Sequence, residues 1–164
     1  NLPQITKRKL DGLQLAYLVE EECKKLEANG DNIHAIVIEL DGPGVSCYDQ
    51  LNKGAYRRYV VGVHTGKRLK DGMNYNLKAK MWRDAREYLE GAPISMDSDA
   101  ELKSQICSVK YLYKDGLLIM QPKKEYKKMF GKSPDRADAF VLTFAANEEH
   151  IDFNLLNNNW VTPL

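Results

Sequence analysis

The nine residues from Asn32 to Leu40, Asn-Ile-His-Ala-Ile-Val-Ile-Glu-Leu, constrain the fold of this chain most. A short run so rich in β-branched residues suits a parallel strand covered on both faces of a sheet. Before it, Leu13, Leu15, Ala16, Leu18, Val19, Cys23 and Leu26 recur mainly three and four apart. Gly30 follows where a left-handed cap is wanted, so an amphipathic helix is expected from Leu13 to Asn29. Beyond the strand, Asp41-Gly42-Pro43-Gly44 is a breaker, Val45 to Leu51 reads as a short helix and Tyr56 to Val63 as a second strand.

Gly66 to Asn74 has no periodicity and is expected as a loop, with Tyr75 to Leu89 a helix ending at Gly91. Asp97 to Ile106 predicts a further helix, for which Asp97, Ser98 or Asp99 is available as a cap. Val109 to Tyr113 and Leu117 to Gln121 flank Lys114-Asp115-Gly116, a strong hairpin signal. After a Lys-rich stretch, Pro134 suits the first turn of a helix running to about Ala146 with Ser133 as its cap. From Asn147 the chain turns polar, so the division is a domain of residues 1–146 and a loose tail of residues 147–164. Helix-linked strands plus one hairpin predict an α/β domain with a mixed central sheet flanked by helices.

With 24 Lys+Arg against 23 Asp+Glu, the net charge of +1 excludes a general electrostatic clamp on nucleic acid and leaves room only for local basic patches. No apolar stretch approaches the roughly 20 residues of a membrane span. The amino-terminal residues lack the apolar region of a secretory signal, and the missing initiator Met leads us to expect a piece of something longer. Cys23, Cys47 and Cys107 are widely spaced, fit a reducing compartment and read as buried small hydrophobes. His34, His64 and His150 share no metal-binding spacing and read as packing or surface residues.

Ligands of open α/β sheets bind beyond the carboxyl ends of the strands, where Asp41 stands followed by glycines that admit a ligand to the backbone. Asp-Gly-Pro-Gly is also an ordinary turn. Asp135 and Asp138 are three apart and share a helix face; both suit the positive end of a helix dipole. Ala137, Ala139, Phe140, Val141 and Leu142 surround Asp138 with apolar residues, and a buried carboxylate is costly unless it meets a charge or a metal. Acids converging from separate elements would hold Mg²⁺ or Mn²⁺ through oxygen ligands, as phosphodiester hydrolysis requires. Glu39, on the same side of the strand as Asp41, ranks below Asp135 as an extra ligand. Lys123, Lys124, Lys127, Lys128 and Lys132 would either grip DNA phosphates or form a solvated face. Arg57 and Arg58, at the start of a strand, fit either role, while Tyr75 and Trp82, two helical turns apart, read as core.

The chain resembles the nuclease domain of the large terminase subunit of tailed bacteriophages, a ribonuclease H-like fold. Three stretches carry the likeness: Val37 to Val45 with Tyr48-Asp49-Gln50-Leu51, Asn74 to Trp82, and Gly131-Lys132-Ser133-Pro134-Asp135-Arg136-Ala137-Asp138-Ala139-Phe140. The resemblance spans roughly Leu13 to Ala146. It implies a Mg²⁺- or Mn²⁺-dependent endonuclease that cuts concatemeric double-stranded DNA with two metal ions, in the cytoplasm of a bacterial host. Asp41 matches the family's second acid, Asp138 its last, and Asp135 a position that assists. The first acid has no counterpart, since it belongs on an earlier strand; Asp11, before Gly12 in what reads as a turn, is a poor substitute. In the parent protein the implied partners are an amino-terminal ATPase domain, the small terminase subunit and the portal. Gly131-Lys132-Ser133 resembles the end of a phosphate-binding loop, but that motif's first glycine would fall on Tyr126. Two rivals stand beside this reading: a Holliday-junction-resolvase-like nuclease, and a catalytically incomplete domain that binds DNA or a partner. Asp138→Ala is expected to abolish metal binding with little loss of fold.

Overall fold

A computed structural model describes residues 4–91 and 99–147 of the chain. Helix α1 (Gly12–Ala28) opens on a reciprocal cap in which the Asp11 carboxylate accepts the Gln14 N–H at 2.8 Å and the Gln14 side chain accepts the Asp11 N–H at 3.1 Å. Asp11 is therefore a helix cap rather than a turn residue. Gly30 has φ 88°, the left-handed geometry its position predicts. Strand β1 (Ile36–Glu39) and strand β2 (Val60–Val63) pair in parallel through helix α2 (Gly44–Leu51), with Ile36 opposite Val60 and Glu39 opposite Val63. The expected second strand begins late because Arg57–Tyr59 forms a 3-10 turn, which takes Arg57 and Arg58 off the strand.

Alternation along these strands sets the layers. Ile36, Ile38 and Val60 pack with Ala16, Cys47 and Leu51 of α1 and α2. Val37, Val61 and Val63 face the main core, built from helix α3 (Leu77–Gly91), helix α4 (Ala100–Ser108), the hairpin of β3 (Tyr111–Lys114) and β4 (Leu117–Met120), and helix α6 (Asp135–Leu142). Helices thus cover both faces of the parallel pair, as the apolar run demands. Every residue of β1 nevertheless stays half-buried, since among the described residues β1 pairs only with β2. An apolar cavity of 250 Å³ lies beside the strand, between Ala35 and Val37 and the α6 residues Ala139 and Leu142. The antiparallel hairpin is a second small sheet, joined to the rest by a parallel bridge between Asn74 and Leu118.

Lys123–Phe130 is a helix, α5, which the Lys-rich sequence concealed because one apolar position, Tyr126, anchors it. Gly131, at φ 74°, is its left-handed C-cap, which accounts for the glycine of Gly131-Lys132-Ser133 without a nucleotide. Cys23 and Cys47 are buried, and burial pushes both thiols up, but Cys107 is exposed on α4, contrary to its reading as a buried hydrophobe. Trp82 belongs to the core; Tyr75 precedes α3 and is half-buried. Among the described residues no helix is long and apolar enough to cross a membrane. The tail beyond Asn147 lies outside the described residues.

Helix α6, which carries Asp135 and Asp138, is capped from a distance. Ser133 is not its cap: the capping position is Pro134, which has no side-chain acceptor. The Gln105 Oε1 atom, on α4, accepts the N–H groups of Arg136 at 2.9 Å and Ala137 at 3.1 Å instead. Arg136 in turn donates to Asp99 at 2.5 Å, and Asp99 caps α4 through the Leu102 N–H. Gln105 is 4% exposed, so Gln105→Leu leaves two N–H groups dry and unpaired. Chemical denaturation is expected to show a loss of about 2 kcal/mol; an unchanged midpoint would mean that water reaches this helix end.

Candidate active site

Register brings the acids together. Glu39 lies on the same face of β1 as Val37, the face packed against α3 and α6, and Asp41 continues that alternation beyond the strand end. Gly44 is required here for packing: a Cβ at this residue would stand 2.1 Å from the Glu39 carbonyl oxygen. Gly42, by contrast, faces open space. The breaker thus turns the chain sharply off the strand end, and only Gly42 leaves its backbone open to an approaching group.

Asp41 is held by the residues that follow β2. Its Oδ1 lies 2.7 Å from His64 Nδ1, and its Oδ2 accepts from Gly66 N–H at 2.9 Å and Thr65 Oγ1 at 3.1 Å. Thr65 Oγ1 also reaches Glu39 Oε1 at 2.8 Å, so one hydroxyl proton is shared between two carboxylates. Burial raises the Asp41 carboxyl, but the Gly66 N–H, His64 and Thr65 outweigh it and hold the group below 3.8. A depressed folded value adds stability above the ordinary carboxylate range, and that contribution is lost as pH falls through the folded value. Titration by NMR is expected to place Asp41 below 3.8, with its share of stability disappearing only in more acidic solution. An Asp41 value above the ordinary one would contradict these contacts.

Asp138 enters from α6. Its Oδ1 is 2.9 Å from Lys78 Nζ and its Oδ2 is 2.8 Å from Lys123 Nζ, with 15% of the side chain exposed. The carboxylate expected to need a charge or a metal is met by two ammonium groups. Burial lowers the Lys123 ammonium, but Asp138, then Glu39 and Asp135, overcome this and raise it. Lys123 therefore feels three carboxylates at once.

Glu39, Asp135 and Asp138 line one cavity of 210 Å³ with Thr65, Lys78 and Lys123. Asp41 joins this group through Thr65 and does not itself line the cavity. Among the described residues no three His, Cys, Asp or Glu side chains gather closely enough to hold an ion. The acids gather around ammonium groups instead. The donor set nevertheless fits a hard divalent cation: the acids offer only oxygen ligands, and no thiol or imidazole lines the cavity.

The Lys-rich group expected to grip DNA divides. Lys123 is turned to Asp138, and Lys132 is paired with Glu101, while Lys124, Lys127 and Lys128 are exposed along α5. Sequence reasoning missed Thr65, His64 and Lys78. Thr65 and His64 had a signal, because residues just past the second parallel strand stand opposite those just past the first. Lys78 had none, since its partner lies on a helix sixty residues further along.

No family model and no curated protein matches the sequence. Solved structures do. The nuclease domain of the large terminase subunit gp2 of bacterial virus Sf6 superposes with a TM-score of 0.58 at 15% identity, covering 81% of this chain and 71% of that one. A lysine-to-alanine mutant of the same domain with manganese gives 0.60 at 14% identity over 81% and 72% of the two chains. With manganese and beta-thujaplicinol the mutant gives 0.61 at 14% identity over 84% and 74%. The chain shares the mixed α/β fold of this large terminase nuclease domain.

Proposed function

We propose that this chain is the metal-dependent endonuclease domain of a phage DNA-packaging terminase, cutting concatemeric double-stranded DNA in the bacterial host's cytoplasm. One observation carries the reading: Glu39, Asp135 and Asp138 converge on one cavity at the carboxyl end of a parallel strand pair, with Asp41 tied to Glu39 through Thr65. The fold is shared with a nuclease domain whose mutant was studied with manganese. Asp138 and Asp41, assisted by Asp135 and Glu39, are the residues that would hold Mg²⁺ or Mn²⁺, two ions on this reading. Bound there, such ions supply an activated water and neutralise charge developing on the phosphate. Thr65 orients two carboxylates at once, and Lys78 and Lys123 hold Asp138 in place. An ATPase domain, small terminase subunit and portal are the partners this role requires.

The decisive experiment is nicking of supercoiled plasmid with Mn²⁺, comparing the chain with its Asp138→Asn variant. Nicking that needs both Mn²⁺ and Asp138 supports the reading. A second reading, a domain that binds DNA without cutting it, is favoured by the absence of a three-acid cluster among the described residues. Binding without nicking by either protein would select it.

A further inference from the structure

We infer that Arg68 and Lys114, gathered around the ring of Tyr75, form a binding site for a backbone phosphate of DNA beside the candidate active site. The inference rests on the reading of the chain as a DNA-cutting domain and names where the substrate strand lies. Thr65 to Leu69 and Tyr75 to Lys78 run side by side: Lys78 N–H donates to Thr65 O at 2.8 Å, Leu77 N–H to Lys67 O at 2.9 Å, and Arg68 bridges antiparallel to Asn76. The hairpin docks on this ledge through Tyr75 N–H to Leu118 O at 2.8 Å and Leu118 N–H to Met73 O at 2.9 Å. That docking brings two cations, 46 residues apart in sequence, onto one aromatic side chain. The Arg68 guanidinium carbon is 3.6 Å from the Tyr75 ring centroid; Lys114 Nζ is 4.7 Å from it and donates to the Tyr75 hydroxyl at 3.0 Å.

The chemistry of this cluster is unfinished without an anion. Both cations are exposed, and neither takes part in an ion pair among the described residues. Of the carboxylates nearby, Asp71 folds back on the N–H groups of Met73 and Asn74 and on the Asn74 amide, and Asp115, next to Lys114 at the hairpin turn, acts on that ammonium through space without forming an ion pair among the described residues. Other exposed cations do find acids, such as Lys24 on Glu21 and Arg86 on Glu90. Two like charges held near one ring repel each other, and an anion between them converts that repulsion to attraction. Stacking fixes the guanidinium plane and leaves its N–H groups, none of them hydrogen-bonded among the described residues, for the paired contact that phosphate oxygens accept. Lys70, exposed on the same loop, adds charge of the same sign.

Position selects nucleic acid among phosphate ligands. The ledge starts at Thr65, which touches Glu39 and Asp41, and Arg68 lies three residues further on, past a turn that Lys67 N–H closes on His64 O at 3.0 Å, so at most about 10 Å of chain separates them. Phosphates of one strand advance about 3.4 Å each along the duplex axis, so Arg68 and Lys114 would meet the backbone within about three steps of the phosphate at the acids.

The test is duplex binding by the whole chain in EDTA across a salt series, read by fluorescence anisotropy, with Arg68→Gln/Lys114→Gln against wild type. Both side chains are exposed, so the fold is expected to be kept, which thermal melts of the variant check. The slope of log affinity against log salt is expected to become shallower by about 1.8, or about 0.9 per cation, with about tenfold weaker binding near 0.1 M salt. A control pair on the far side of the sheet, Lys24→Gln/Lys25→Gln, should leave the slope unchanged. An unchanged slope in the Arg68/Lys114 variant of a chain that still binds and nicks DNA overturns this site alone. Inorganic phosphate displacing the duplex at matched ionic strength makes it a free-anion site and also overturns it. A wild-type chain that binds no duplex at any salt overturns the nuclease reading itself, and this site with it.

Discussion

Asp138→Asn is expected to lower Mn²⁺-dependent plasmid nicking by on the order of a thousandfold, equivalent to about 4 kcal/mol of transition-state stabilisation. The amide keeps the shape and one oxygen but loses the charge that pairs with a cation, so the loss should fall on turnover while DNA affinity in EDTA changes little. Asp138→Ala adds a second effect, which the structure reverses from the expectation of little loss of fold. Lys78 and Lys123 are 2.9 and 2.8 Å from this carboxylate, and Lys78 is only 21% exposed. Removing the acid strands two ammonium groups against each other. A fully buried pair would cost about 3–5 kcal/mol to break; with Lys123 half-exposed and screened, about 1–3 kcal/mol is expected. Thermal melts in EDTA should record a fall of roughly 3–10 °C. Nicking at the wild-type rate in the Asn variant would remove Asp138 from the chemistry, and an unshifted melt in the Ala variant would mean that the lysines relax freely into water.

Lys123→Met should move metal binding in the opposite direction. The Lys123 ammonium is raised by Asp138, Glu39 and Asp135 together, so it occupies the charge environment that a divalent ion would use. Methionine keeps the packing of the stem and removes the charge. Without Mn²⁺ the carboxylates then repel each other, and the melting temperature should fall by a few degrees. With Mn²⁺ the variant should be stabilised more than wild type, because linkage adds stability in proportion to the logarithm of ligand over its dissociation constant. Calorimetry is expected to show about tenfold tighter Mn²⁺ binding, roughly the effect of removing one competing interaction of about 1.4 kcal/mol. Weaker Mn²⁺ binding would instead make Lys123 a support of the metal-bound state, and equal binding would put the ion away from it.

The contrast between these residues shows how far the sequence reaches. Asp41 and Asp138 were legible because each is defined locally: one ends an apolar strand, the other interrupts an apolar helix. Glu39 was legible only as an alternation partner of Asp41, and the register of β1 against β2 raised it to a wall of the cavity beside Asp135 and Asp138. Helix α5 was not legible because its polar composition offers a single buried anchor, Tyr126, whose neighbours Ser108 and Phe130 are supplied partly by another helix. The Ser133 cap failed for a related reason. The polypeptide places proline at the capping position, and a buried glutamine from α4 takes the N–H groups instead.

The sequence by itself determined the layered α/β plan, the hairpin, the strand that ends in Asp41 and the helix that presents Asp138, since periodicity and turn chemistry act over a few neighbouring residues. Only the tertiary structure decided what those carboxylates meet. Thr65 bridges Glu39 and Asp41, Lys78 and Lys123 pair with Asp138, and Arg68 and Lys114 gather on Tyr75. These partners come from separate elements, and charges act on whatever the packing brings within a few ångströms, however far apart along the chain.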